Sequence, residues 1–232
     1  MSGHTTRPSV PPDSRRPRLA RLAAAAIALL GWYGLLLQLY VVIATARATG
    51  VPVTTAISNY FSFFTILTNL LVALVLTLSL RTTPSTLSAY AGRSTVQSEV
   101  AVYIAIVGIV YSLALRNLWD PEGLQKIADV ILHDAIPVLY LLYWLAFGRK
   151  GKDDDSLRFR RVPTWLAYPL LYLLYSLIRG AITGIYLYPF IDAGKLGYPR
   201  VALNAVVLLF AFLGTSLFLV AIDRWIPQGR SE

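Results

Sequence analysis

The chain has 232 residues, 56% of them hydrophobic and only 14% charged, with a mean hydropathy of +0.59 and a net charge of +9. Soluble domains carry about 25% charged residues, so this composition argues against a water-soluble fold. It contains no cysteine, which excludes disulfides, thiolate metal sites and a cysteine nucleophile. The positive balance fits Lys and Arg gathered in the cytoplasmic loops of a membrane protein better than a nucleic-acid surface, so no nucleic-acid partner is expected.

Residues 1–18 are rich in Pro, Ser and Arg and have little to bury, which predicts a disordered basic cytoplasmic tail. Six apolar runs follow, at about 20–46, 59–80, 98–118, 126–147, 164–187 and 201–222. Each is long enough to cross the hydrocarbon layer as a helix, whereas a spanning strand needs only about ten residues and alternates. The first run is too long for the apolar part of a signal peptide and reads as a retained anchor. Turn and linker chemistry separates the runs: Gly50-Val51-Pro52, Pro84, Asp120 through Gly123, residues 148–163 and Tyr188-Pro189. The expected architecture is an all-α six-helix bundle over 19–225, with a short C-terminal tail at 226–232.

Orientation follows from Lys and Arg. Fifteen of the twenty-one lie in the two tails and the 81–97 and 148–163 loops; five lie in the opposite loops, and Arg179 lies inside a span. That bias predicts a multi-pass inner-membrane protein with both termini cytoplasmic and lipids as its first partners.

Ionisable and polar groups inside spans are expensive and mark candidate sites. Here they are Asp129, His133 and Asp134 in span four, Arg179 in span five, Thr65, Thr68 and Asn69 in span two, and Asn204 in span six. At about 1.5 Å rise per residue, Thr65, His133 and Arg179 would each lie roughly 10 Å below the outer surface, with Asn204 one turn in. Asp129 and His133 are four apart and share a helix face, so the carboxylate can orient the imidazole. Pro137 should kink span four or free a carbonyl. The plainer readings compete: membrane threonines usually bond within the bundle, Arg179 can snorkel outward or balance Asp129 or Asp134, and Tyr168, Tyr172 and Tyr175 suit packing or an interfacial belt. Only His133 among the two histidines is in a span, and no phosphate loop, zinc pattern or nucleophile elbow is present, so no metal or cofactor is expected.

The run Asn59 through Asn69 (NYFSFFTILTN), the later His133 through Pro137 (HDAIP) and Tyr143-Trp144 resemble the androgen-induced-gene-like six-helix membrane proteins, particularly their bacterial Pr-six-Pr branch. The resemblance runs from about 20 to 222. It implies a membrane-embedded hydrolase of lipid or fatty-acid esters, with Thr65 corresponding to a threonine nucleophile, or alternatively Thr68, and His133 to a histidine. Asp129, Arg179, Asn204 and Asn69 are the supporting residues expected around them. Two other functions fit the same spans. A proton-coupled or small-solute carrier would need a polar path through both leaflets, and a scaffold would need a closed bundle.

Overall fold

A computed structural model describes residues 15–148, apart from 82 and 84, and residues 162–225; the sequence-based tail over most of 1–18, the loop at 149–161 and the tail at 226–232 lie outside the described residues. Lipid offers no hydrogen bonds to exposed backbone, so a chain of this composition folds as helices that satisfy their own amides. Among the described residues all regular structure is helical.

The elements in chain order are α1 (Arg15–Thr49), α2 (Val53–Tyr60), α3 (Phe64–Ser79), α4 (Thr86–Ala91), α5 (Ser94–Leu118), α6 (Gly123–Phe147), α7 (Val162–Thr183), α8 (Ala193–Leu196) and α9 (Tyr198–Trp225). Helices α1, α5, α6, α7 and α9 are each long and apolar enough to cross a membrane; α2 and α3 qualify only as a pair, bent by 67°. Helix α1 begins at Arg15, so the last residues assigned to the N-terminal tail are its first turn.

Helix α5 is the centre of the bundle: 56% of its apolar window is buried, against 11% for α7 and 22% for α9. It packs on α3, α6 and α9, while α1 covers α3 and α6. Small residues allow the closest approaches. A Cβ on Gly34 of α1 would stand 2.5 Å from Ile131 Cγ2, and one on Gly108 of α5 would stand 3.1 Å from Pro137 Cβ. Both glycines therefore seat their helices against the middle of α6.

Three departures from regular helix matter. Span two was expected to run unbroken from Asn59, but the chain breaks at 61–63 with Phe63 extended. Neither Pro nor Gly causes this. Ser62 Oγ back-bonds to Ser58 O at 2.7 Å, and Ser62 N–H and Phe63 N–H tighten onto Asn59 O and Tyr60 O. Second, α5 and α6 each contain a π-helical turn, at Tyr111–Leu115 and Ile131–Ala135. In α6 the Ile136 N–H reaches back to Ile131 O, and the next residue, Pro137, has no N–H, so Leu132 O loses its helical partner. Asn69 Nδ2 fills that vacancy at 3.1 Å and also donates to Thr65 O at 2.9 Å. Third, span five ends at Thr183 rather than near 187, and residues 184–197 turn back so that Tyr188 and Ile191 are buried.

The tyrosines of α7 do more than pack. Spaced so that they share a face, Tyr168, Tyr172 and Tyr175 bond in turn to Thr68 Oγ1 at 3.2 Å, Ser62 O at 2.9 Å and Ser62 Oγ at 2.6 Å. They fasten a lipid-facing helix to the break between α2 and α3.

Asn69→Leu should destabilise the protein by about 1–2 kcal/mol, since it strands a buried carbonyl. Asn69→Asp should cost more, because a carboxylate would face two carbonyls. Unfolding by SDS in mixed micelles measures both.

Candidate functional site

A cavity of about 540 Å³ opens at the end of the bundle that carries Thr49, Trp119 and Tyr188. Its wall contains Thr65, His133, Asp129, Tyr111, Tyr188 and Gln38. Both elements that deliver Thr65 and His133 are irregular. Thr65 is the second residue of α3, just past the break, and His133 lies within the π turn of α6. Asn69 holds them together, because its single amide nitrogen binds the carbonyls of Thr65 and of Leu132, the neighbour of His133.

The imidazole is fixed from two sides. Its Nδ1 lies 3.0 Å from Asp129 Oδ1 and 3.1 Å from Asp129 O. Both neighbours are acceptors, so Nδ1 carries the proton and Nε2 is left with its lone pair. The Tyr111 ring stacks on His133 with centroids 4.1 Å apart and planes 17° apart, and the Tyr111 hydroxyl donates to the other carboxylate oxygen, Asp129 Oδ2. Asp129 is 3% exposed; its Oδ2 accepts from Tyr111, while Oδ1 approaches His133 Nδ1 to 3.0 Å without a hydrogen-bond partner among the described residues, because the Nδ1–H bond goes to the Asp129 main-chain oxygen. Behind Tyr111, the Arg116 guanidinium lies 4.8 Å from the ring centroid and pairs with Asp134.

Thr65 is held by tyrosine. The first turn of a helix has N–H groups without intrahelical partners. Phe64 N–H donates to Tyr172 Oη at 3.1 Å and Thr65 N–H to Tyr188 Oη at 3.4 Å. Burial pushes the Tyr188 phenol above its ordinary range, so it stays protonated beside the Thr65 hydroxyl.

The other expected residues are elsewhere. Thr68 is fully buried against Tyr168 and is absent from the cavity wall. Asn204 Nδ2 donates to Phe190 O at 2.7 Å and secures the 184–197 connection. Arg179 binds Asn59 Oδ1 and Ile185 O beside a separate surface groove, so it reaches the cavity only through Asn59. It does not balance Asp134, which Arg116 neutralises. The expected shared depth requires a continuous helix from Asn59; the 67° bend removes that basis for Thr65, and packing instead places Thr65 and His133 in the wall of one cavity.

Tyr111, Arg116 and Tyr188 were not singled out from sequence. A tyrosine inside an apolar run is a signal in principle, since its buried hydroxyl needs a partner. Arg116 reads as an ordinary interfacial charge, and Tyr188 as part of a turn. No protein-family model, characterised protein or solved structure matches the chain.

With His4 replaced by Ala, His133 is the sole histidine. In alkaline buffer its ¹⁵N NMR spectrum should show a protonated Nδ1 and a bare Nε2. An Nε2–H form in the parent would contradict the assignment.

Proposed function

We propose that this chain is a six-span inner-membrane hydrolase of lipid or fatty-acid esters, related to the Pr-six-Pr proteins, with Thr65 as nucleophile and His133 as general base. In this reading α2 and α3 together form the second crossing, both termini are cytoplasmic and the cavity opens on the outer face. The observation that carries it is one cavity wall holding a threonine hydroxyl and an imidazole whose Nδ1–H is fixed by Asp129, itself fixed by Tyr111. A hydroxyl is a weak nucleophile and needs such an oriented base.

The chemistry runs in two halves. Thr65 Oγ1 attacks the ester carbonyl carbon while His133 Nε2 takes the hydroxyl proton. The tetrahedral oxyanion then collapses, the carbon–oxygen ester bond breaks, and His133 returns the proton to the leaving alcohol oxygen. Water, activated by the same imidazole, attacks the acyl-threonine and releases the acid. Asp129 stabilises the imidazolium that forms in each half, as the third group of such a unit does. Tyr188, protonated and adjacent to Thr65, takes the oxyanion-stabilising role for which Arg179 and Asn204 are too remote. Thr65 is preferred to Thr68 because Thr68 is closed off by Tyr168. The carrier reading is the weaker one: past Asn69 the helices close around Val72, Ala73, Leu76 and Ile104, all fully buried.

Purified protein should react with a lipophilic fluorophosphonate and cleave long-chain esters. Thr65→Ala and His133→Ala should each lower turnover by about 10³-fold or more, and non-additively, as members of one unit do. Asp129→Asn should lower it less, and Thr68→Ala should leave it substantial. Loss of turnover in Thr68→Ala with Thr65→Ala active would move the nucleophile by one turn. Absence of labelling and of cleavage in folded wild-type protein would remove the hydrolase reading.

Accessibility tags test the topology separately. Reporters at Gly3, in the 148–163 loop and at Glu232 should all be cytoplasmic, and an outside signal from the loop would invert the assigned faces.

A further inference from the structure

Thr65 lines two cavities. On its other side from the vestibule that holds Asp129 and His133 lies a narrower chamber of about 100 Å³ between α5, α7 and α9. Thr65, Tyr111, Leu115 and Tyr188 belong to both walls and form the partition. Beyond the partition the chamber is built from apolar side chains, among them Ile106, Val107, Leu209 and Phe212. The tyrosines that contribute to it turn their hydroxyls to other partners, namely Asp129 for Tyr111, Ser62 O for Tyr172 and the Thr65 amide for Tyr188. They therefore present rings to the interior. At the rim stands Leu170 of α7, 52% exposed on the apolar outer surface of the bundle.

We propose that this chamber seats the acyl chain of the substrate, entering sideways from the lipid between α7 and α9, while the alcohol part occupies the vestibule. This rests on the hydrolase reading and adds the direction in which the ester lies. The position of His133 fixes that direction. His133 and Asp129 line the vestibule and not the chamber. The imidazole that takes the Thr65 proton must give it to the departing oxygen, so the alcohol leaves on the His133 side. The carbonyl carbon sits at Thr65, and the chain attached to it runs through the partition into the apolar side. Water for the second half arrives through the vestibule without crossing the chain.

Two measurements test this. The first is kcat/KM for p-nitrophenyl esters of straight acids from four to sixteen carbons, in wild type and Ala205→Phe. Ala205 lines the chamber on α9, outside the reacting groups. In wild type kcat/KM should rise about fourfold per methylene while the chamber fills, the equivalent of burying one methylene. Ala205→Phe should cut the twelve-carbon to four-carbon ratio at least tenfold; an unchanged ratio in folded variant overturns the proposal.

The second readout needs no turnover. A long-chain fatty amide with a diazirine near its methyl end is photolysed in wild type and in Thr65→Ala. Adducts should map to α5 and α9 around Val107 and Leu209. Adducts confined to Val42, Leu118 and Trp119 in the vestibule would reverse the orientation and overturn the proposal. If the wild type cleaves no ester at all, the hydrolase reading fails, and the chamber as an acyl-chain site stands or falls by the adducts alone.

Discussion

A backbone amide or carbonyl in hydrocarbon has no water to turn to, and each one left without a partner costs several kcal/mol. That requirement organises this protein wherever it departs from regular helix. At the break before α3, the phenols of Tyr172 and Tyr188 accept the first two amides of the new helix. At the π turn of α6, Asn69 takes the carbonyl that Pro137 cannot serve. In the connection after α7, Asn204 holds Phe190 O. In each case a side chain from another part of the fold supplies what the local backbone lacks, so the irregularities are also the tertiary fasteners.

The candidate site follows from the same device. A helix break puts a threonine at the start of α3, where its amide donates to Tyr188 and its side chain lines a cavity. A π turn, a feature frequent at functional sites, carries His133, and Asp129 lies one turn before it. The matching π turn of α5 opposes it and carries Tyr111. The charges are arranged by burial. Asp129, deep in the wall, accepts from the Tyr111 phenol and lies 3.0 Å from the His133 imidazole. Asp134 and Arg116, about a third and a half exposed, pair at the rim, where an ion pair contributes little to stability and chiefly fixes geometry. The guanidinium lying over Tyr111 links the two layers.

The division between vestibule and chamber has a physical logic of its own. In the proposed reading the ester has one end that prefers water and one that prefers lipid, and its carbonyl sits where they meet. Thr65 stands on that line because Tyr111 and Tyr188 are amphipathic partitions, with their hydroxyls toward polar partners and their rings toward the apolar side.

Much of this was legible in the residues. Run length and the absence of alternation fix helices long enough to cross a membrane, since only a helix satisfies twenty consecutive amides within itself. The spacing of Asp129 and His133 gives their contact, because four residues apart on a helix is a neighbour in space. Pro137 announces a disturbed turn. The break at 61–63 was not legible: no Pro or Gly marks it, and it persists through bonds to Tyr172 and Tyr188, more than a hundred residues away. For the same reason Arg179 and Asn204 were expected in the site and Tyr111, Arg116 and Tyr188 were not. A polar residue in an apolar run advertises its need for a partner, but which partner it meets depends on how helices rotate and bend against one another. The sequence by itself determined the helices and the local Asp129–His133 pair, whose interactions are short in sequence. Tertiary packing alone decided that Thr65 shares a wall with His133, because that meeting depends on a bend and a π turn held by groups distant along the chain.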